Sequence, residues 1–525
     1  MGYIVKYDKI IIGAGSAGAI IASRLTEDER CSVLLLEAGP DYPTLDKTPD
    51  PVKYAYGHDP NIWGMAFGHG TKFGWNYYGR TTDKSPPKLF PRGKLVGGSS
   101  AINAQIFLRG IPEDYDNWAE LGNDRWSFDQ LLPYFRMIER DIDIQDQYHG
   151  TSGPIITRRF KKDEWNNDQR AFYESCLLNG YDECLDHNNP YSTGIGAMPV
   201  NHFEGIRYST ALGYLSLARN RDNLTISSES LVHKVLIDAK RAKGVLFEKD
   251  NELIRAEADE IILCGGAIAS PHLLMLSGIG NPNNINQYGI PVIHELPGVG
   301  QNLRDHPQVS VIWKLKPEER VDPLSSPLQI GLRYTASGSS LRNDMCTFGF
   351  SALSIEGTYH ISHSPRDYFS LISQLYLEIS SGQVYLGSSD PHVQPVIDAN
   401  YFQDPFDIQR MRESIYISLS LGDQSPLKSL IQERVLPTND HLLSSNSLDD
   451  WIRSEAATSH HLSSTCKMGI ESDQTSVVDQ FGKVYGIDSL RVADASIMPD
   501  CIRANTNVTT MVIGERIADF IRTGY

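Results

Sequence analysis

Apolar positions in this chain fall into two kinds of pattern, short unbroken runs and helix-spaced repeats, and the first few elements use both. Asp8–Ile12 ends in three consecutive isoleucines, a run long enough for a strand buried on both faces. Gly13-Ala14-Gly15-Ser16-Ala17-Gly18 follows at once, and Ala19, Ile20, Ile21, Ala22 and Leu25 then recur at helical spacing. A second run, Ser32–Leu36, ends at Glu37. The pattern predicts strand, glycine turn, helix, strand, acid. Further along, Asp114–Phe135 predicts two short helices, and Gly153–Ile156 and Ala197–Val200 short strands. Leu224–Ile226 and Leu231–Asp238 predict a strand pair, continued by Gly244–Glu248 as a small antiparallel sheet. Glu260–Gly266 is another buried parallel-type strand ending in glycines, with a helix over Ala267–Leu276. From about Val309 the texture changes. Strand-like stretches at Val309–Leu315, Tyr368–Tyr376 and Gly382–Leu386, separated by long polar loops, predict a second domain on an antiparallel sheet. Asp407–Ser420 and Leu448–Ala457 predict helices. Ser489–Asp494 is a last strand ending in an aspartate, and a closing helix from about Thr509 to Ile521 aligns Val512, Ile513, Ile517, Phe520 and Ile521 on one face. The chain thus begins and ends in one nucleotide-type domain, with the second domain inserted.

The opening pattern carries chemistry. Gly13 permits the tight turn, Gly15 lets a pyrophosphate approach the backbone, and Gly18 lets the helix pack close on the strands. The helix N-terminus offers free N–H groups and a positive dipole end to phosphates. Glu37 stands nineteen residues past Gly18, where a carboxylate accepts hydrogen bonds from both ribose hydroxyls and repels a 2′-phosphate, which argues against NADP. The fingerprint alone serves FAD and NAD equally. Small residues crowd again in Pro91–Ala104 (PRGKLVGGSSAINA), where backbone lies flat against a ligand or makes a close-packed turn. Between Tyr54 and Tyr78, aromatics and glycines mix in a segment that covers a ligand or makes a surface excursion.

Bulk properties narrow the classes. The 525 residues carry a net charge of −17, which argues against nucleic acid and anionic membrane as partners. The seven cysteines are scattered with no C-x-x-C, so a reducing compartment and no bound metal are expected. No run of eighteen apolar residues predicts a membrane span, and no hydrophobic leader precedes the first strand; the expected location is cytoplasmic.

Four motifs, taken in order, resemble the glucose–methanol–choline oxidoreductases, which are FAD enzymes: Gly13–Gly18 with Glu37; Pro91–Asn103; Gly266–Gly280 (GAIASPHLLMLSGIG); and Ser459–Gly469 with Val492–Asn507. The resemblance spans nearly the whole chain. It implies an α/β fold: a doubly wound FAD-binding Rossmann-type domain over 1–155, 200–308 and 475–525, with an inserted α+β substrate domain built on an antiparallel sheet over 156–199 and 309–474. It implies that Gly13, Gly15, Ser16 and Gly18 hold the FAD pyrophosphate and Glu37 the ribose, and that Leu95, Asn103 and Ala104 lie along the ribityl and ring side. Val232 contacts adenine through its backbone, Asp494 and Ala495 cap the phosphate and ribityl end, and Asn507 and Val508 approach the pyrimidine edge. Some members attach flavin through a histidine at the position occupied here by Ile102, so non-covalent FAD is expected. The catalytic histidine falls on His461 and its partner on Asn505, with His460 lining the substrate pocket; the other histidines, His306 among them, are expected to be structural. Two departures stand out: the proline and glycine of the histidine motif are Leu462 and Ser464, and the N-A-P after Asn505-Thr506 is Asn507-Val508-Thr509.

The implied reaction is oxidation of a small-molecule alcohol to an aldehyde or ketone, with electrons passing to oxygen or another carrier. A histidine suits the base, and with an ordinary pKa of about 6.5 its activity is expected to rise with pH through neutrality. Asn505 either orients the hydroxyl or merely caps the last helix. The rival readings are a non-redox lyase on the same scaffold, a flavin-binding protein without turnover, and an NAD enzyme.

Overall fold

The structure is a computed structural model that describes residues 6–54, 56, 72–355, 358–360 and 367–525. Most of the aromatic-rich stretch between Tyr54 and Tyr78 lies outside the described residues. The central strand of the first sheet is Lys6–Ile12. Its three isoleucines are buried on both faces, so it needs a strand on either side and cover above and below. Val33–Leu36 pairs with it in parallel on one side, and the second half of Glu252–Leu263 on the other. Leu490–Val492 extends the parallel sheet beyond Glu252–Leu263. The first half of that long strand leaves the parallel region and pairs antiparallel with Arg241–Lys249, which pairs in turn with Leu231–Asp238.

This arrangement corrects one expectation. Leu224–Ser227 does not pair with Leu231–Asp238; it runs parallel to Val33–Leu36, Thr225 opposite Leu34. The expected small antiparallel sheet is therefore a continuation of the main one. Alternation along a strand fixes which side chains are buried, not which strand lies beside it. Similarly, the stretch expected as one strand near Ala197–Val200 divides: Gly194–Ala197 joins the second sheet, and Pro199–Val200 pairs with Ile155–Arg159.

The second sheet is antiparallel. From edge to edge it runs Ile431–Leu436, Pro307–Leu315, Tyr368–Leu375, Met345–Phe350, Ile330–Tyr334, Gly194–Ala197, with Ala457–Thr458 paired to the start of Pro307–Leu315. The 18-residue helix Pro405–Gly422 packs on it, its Gly422 against the Trp313 ring.

The two ends of the chain are joined by helices. Gly18–Leu25 lies against Thr506–Arg522. Gly514 sets their separation: a Cβ there would come within 3.0 Å of the Ala17 carbonyl oxygen. The next residue, Glu515, takes a bidentate pair from Arg24 (2.8 and 2.9 Å) and a hydrogen bond from the Tyr214 hydroxyl (2.6 Å). A bidentate pair of this kind fixes direction as well as distance.

A second knot is ionic. His149 is buried with Nδ1 3.0 Å from Asp141 and Nε2 3.0 Å from Asp186, while Arg159 bridges the same two carboxylates at 2.7 and 2.8 Å. Arg109 pairs with Glu139 at 2.5 Å beside them. Burial opposes the imidazolium, but the surrounding carboxylates win and push His149 up to about 11. Because the folded value lies above the unfolded one, the stabilisation is complete below about pH 6.5 and is lost as pH rises towards 11. His149→Gln is expected to cost about 3–5 kcal/mol at pH 6, and less at pH 9.5. Urea unfolding of both proteins at the two pH values checks this; a penalty independent of pH would contradict it.

Candidate active site

The glycine turn forms the floor of a cavity. Gly13 has φ +100°, and a Cβ there would lie 2.5 Å from the Cys264 carbonyl oxygen. At Gly18 a Cβ would lie 2.0 Å from the Gly13 carbonyl oxygen, so the helix sits directly on the turn. At Gly15, by contrast, the nearest atom to such a Cβ is 3.8 Å away, and Gly13, Gly15 and Ser16 line the cavity just before the first helix. Glu37 is buried at the end of its strand. Its Oε2 accepts from Ala14 N–H (2.9 Å) and its Oε1 from Gly39 N–H (3.0 Å), while burial raises the carboxyl to about 7.

The same cavity reaches Val232, Asn103, Ala104, Asp494, Ala495 and Asn507. Asp494 is aimed by three donors: Gly266 N–H (2.8 Å) and the Ser270 hydroxyl (2.6 Å) on Oδ2, and Ser496 N–H (2.8 Å) on Oδ1. Asn507 Oδ1 accepts from the Ser16 hydroxyl at 2.7 Å, tying the last helix to the glycine turn. Gly18, Leu95 and Val508 stand behind the residues that line the cavity. Gly18 acts through packing. Leu95 points into a small apolar cluster with Val52, Phe73, Ala101 and Ile102. Val508 is buried inside the last helix.

At the other functional group, His461 and Asn505 meet. His461 Nε2 is 2.9 Å from Asn505 Nδ2. Asn505 stands at the N-cap of Thr506–Arg522, yet its side chain makes no capping bond and its amide turns to the histidine instead. The imidazole is held from behind: His461 Nδ1 is 2.9 Å from His306 Nδ1, and His461 N–H donates to Asp305 Oδ1 at 2.9 Å. His306, expected as structural only, is thus in direct contact with the candidate base. Two facing Nδ1 atoms share one proton. With the Asn505 amide donating to Nε2, that proton sits on His461 Nδ1 and points at His306.

Burial, with His306, His460 and Arg92 nearby, holds His461 well below the ordinary histidine range. Its imidazole is therefore neutral around neutral pH, with a lone pair available on Nε2. His460 lines the same cavity with φ +69°, fixed by Arg92 Nη1 donating to its carbonyl at 2.9 Å. Ser464, where the resembling family has glycine, adopts φ +73°, the conformation that favours glycine, and its N–H donates to the Ala495 carbonyl at 3.1 Å.

One cavity residue, Gln105, had no signal in the sequence. Gln105 lines the cavity in a left-handed conformation, φ +65°, with both amide atoms buried and without a protein partner. Asn507 Nδ2 and Asn505 Oδ1 are likewise buried without one. Unspent donors and acceptors along a cavity floored by a glycine turn fit a flavin dinucleotide, whose phosphates need N–H groups and whose ring edge needs amides. His306 could have been noticed from Arg304-Asp305-His306, a polar triplet set directly before a buried strand.

Models of GMC oxidoreductase match residues 7–308 and 379–514. The chain belongs to the GMC oxidoreductase family. It is an FAD-dependent oxidoreductase acting on CH–OH donors. It is 36% identical to oxygen-dependent choline dehydrogenase 1 of Chromohalobacter salexigens over 98% of this chain and 95% of that protein. It is 37% identical to an oxygen-dependent choline dehydrogenase of Klebsiella pneumoniae over 99% and 96%. Among solved structures, pyridoxine 4-oxidase from Mesorbium loti superposes with a TM-score of 0.90 at 28% identity, covering 99% of this chain and 100% of that one. No helix among the described residues of this GMC protein is long and apolar enough to cross a membrane.

The carboxylate of Glu37 holds the backbone of the turn and lines the cavity. Glu37→Ala is expected to weaken FAD retention about 10- to 100-fold, the loss of charge-assisted hydrogen bonds of about 1.5–3 kcal/mol. Equilibrium dialysis of the purified variant checks it; unchanged FAD affinity would remove Glu37 from the ribose contact.

Proposed function

We propose that this chain oxidises a small-molecule alcohol to an aldehyde or ketone, with His461 as base and Asn505 as the partner that orients the hydroxyl. The contact that carries the reading is the 2.9 Å approach of Asn505 Nδ2 to a neutral, buried His461 Nε2 on the cavity wall. A substrate hydroxyl that replaces this direct contact donates its proton to Nε2 and accepts from the amide. As charge grows on that oxygen, the amide dipole stabilises it in a site with little water. FAD, when bound, supplies the hydride acceptor. His306 acts through His461 as a positioning residue: by accepting the Nδ1 proton it leaves the Nε2 lone pair towards the substrate.

The FAD is held without a covalent bond, since Ile102 occupies the cavity position where some relatives of this type carry the attaching histidine. Residues 1–155, 200–308 and 475–525 form the FAD-binding domain, and 156–199 and 309–474 the substrate domain. A cytoplasmic location is supported by seven free cysteines, six of them buried.

His461→Ala is expected to slow anaerobic flavin reduction about 10²–10⁴-fold with FAD still bound, and Asn505→Ala by less. The double variant falls short of the product of the two losses, because both groups serve one oxygen. Stopped-flow reduction of the wild type is expected to be flat from pH 6.5 upward and to fall only in acid. An inflection near neutrality that His461→Ala abolishes would contradict a depressed base. After acid precipitation the yellow flavin is expected in the supernatant; colour in the pellet would reveal a covalent bond.

A further inference from the structure

At the Val232 end of the cavity, three side chains of ligand type converge from separate elements. His233 stands at a bulge, where the register of Leu231–Asp238 against Arg241–Lys249 slips between Val232 and Lys234. Glu248 lies on the facing strand, opposite Leu231. His392 comes from the loop 386–395, which joins Gln383–Tyr385 to Val396–Asp398 and lines the cavity with residues 391–394. His392 Nε2 is 3.0 Å from Glu248 Oε2, and His233 Nε2 is 3.2 Å from the same oxygen, off hydrogen-bond geometry. All three ligand atoms lie within 4.8 Å of one another.

Two imidazole nitrogens and a carboxylate oxygen converging on one point form a donor set for zinc and neighbouring divalent transition metals. Bonds of about 2.0–2.1 Å in a tetrahedron put ligand atoms about 3.3 Å apart, close to the 3.0 and 3.2 Å found here. Among the described residues, the ion-pair partners of Glu248 are these two imidazoles, with no lysine or arginine. The other tight group of this kind, Glu139, Asp141 and His149, is different: Arg109 and Arg159 already supply its positive charge.

We propose that His233, Glu248 and His392 form a divalent transition-metal site, with zinc as the fitting ion and water as its fourth ligand, that clips loop 386–395 onto the FAD-binding sheet. The site goes beyond the alcohol chemistry, and none of its residues contacts His461 or Asn505. Its consequence is mechanical: the metal would tie a cavity-lining loop to the hairpin that carries Val232.

The test uses holoenzyme treated with chelator, then titrated with Zn²⁺ by calorimetry while hydrogen exchange in 386–395 is followed by mass spectrometry. The expected result is one zinc per chain, with exchange in the loop slowed about tenfold or more and restored by chelator. His392→Ala, at a half-exposed position that tolerates truncation, and Glu248→Ala are each expected to abolish both effects. Absence of binding, an unchanged stoichiometry in both variants, or bound zinc with unaltered loop exchange would each overturn the proposal. None of these readouts depends on turnover or on how the flavin is attached.

Discussion

The contact between His461 Nε2 and Asn505 Nδ2 joins the two halves of the molecule at the site. His461 follows Ala457–Thr458, which pairs with the start of Pro307–Leu315 in the antiparallel sheet. His306 immediately precedes that same strand. The register of one strand pair therefore sets two histidine rings against each other. Asn505 begins the last helix, which is fixed to the first helix through Gly514 and the Arg24–Glu515 pair. Because the first helix sits on the glycine turn, the position of Asn505 relative to the dinucleotide floor is fixed by packing. Geometry of this kind needs rigid supports, and here each partner rests on a sheet or a helix.

Burial then decides the protonation. A buried imidazole with a guanidinium and two further histidines nearby is costly to charge, so His461 stays neutral. The three-residue chain Asn505–His461–His306 assigns the remaining proton to Nδ1. An arrangement that presents a lone pair next to an amide donor suits a hydroxyl, which both gives and accepts a hydrogen bond. The carboxyl of Glu37 shows the other side of the same physics: desolvation raises it, and the backbone N–H groups of Ala14 and Gly39 only partly offset this.

Much of this was legible in the sequence, for identifiable reasons. Ile10–Ile12, the spacing of the three glycines and Glu37 are local patterns whose geometry is set by steric rules, and the structure repeats them. His461 and Asn505 came from motifs rather than from periodicity, and the structure brings the two together. What was not legible depends on neighbours far along the chain. Leu224–Ile226 reads as a strand, but its partner is Val33–Leu36. Leu95 stands within a ligand-type motif, but its side chain faces the core. The contact of His306 with His461 becomes visible only once the Pro307–Leu315 strand is paired. Ser464 shows the converse, since a non-glycine residue keeps a glycine conformation when the surrounding loop requires it.

The central claim is that His461 and Asn505 act on the hydroxyl of an alcohol that gives its hydride to the flavin. Anaerobic single-turnover mixing with a primary alcohol substrate, and with the same alcohol deuterated at the carbinol carbon, tests this most directly. The account predicts bleaching of the flavin absorbance by both, slowed several-fold by deuterium. A flavin that stays oxidised in the presence of every bound alcohol, or one that bleaches at the same rate with the deuterated substrate, would contradict it.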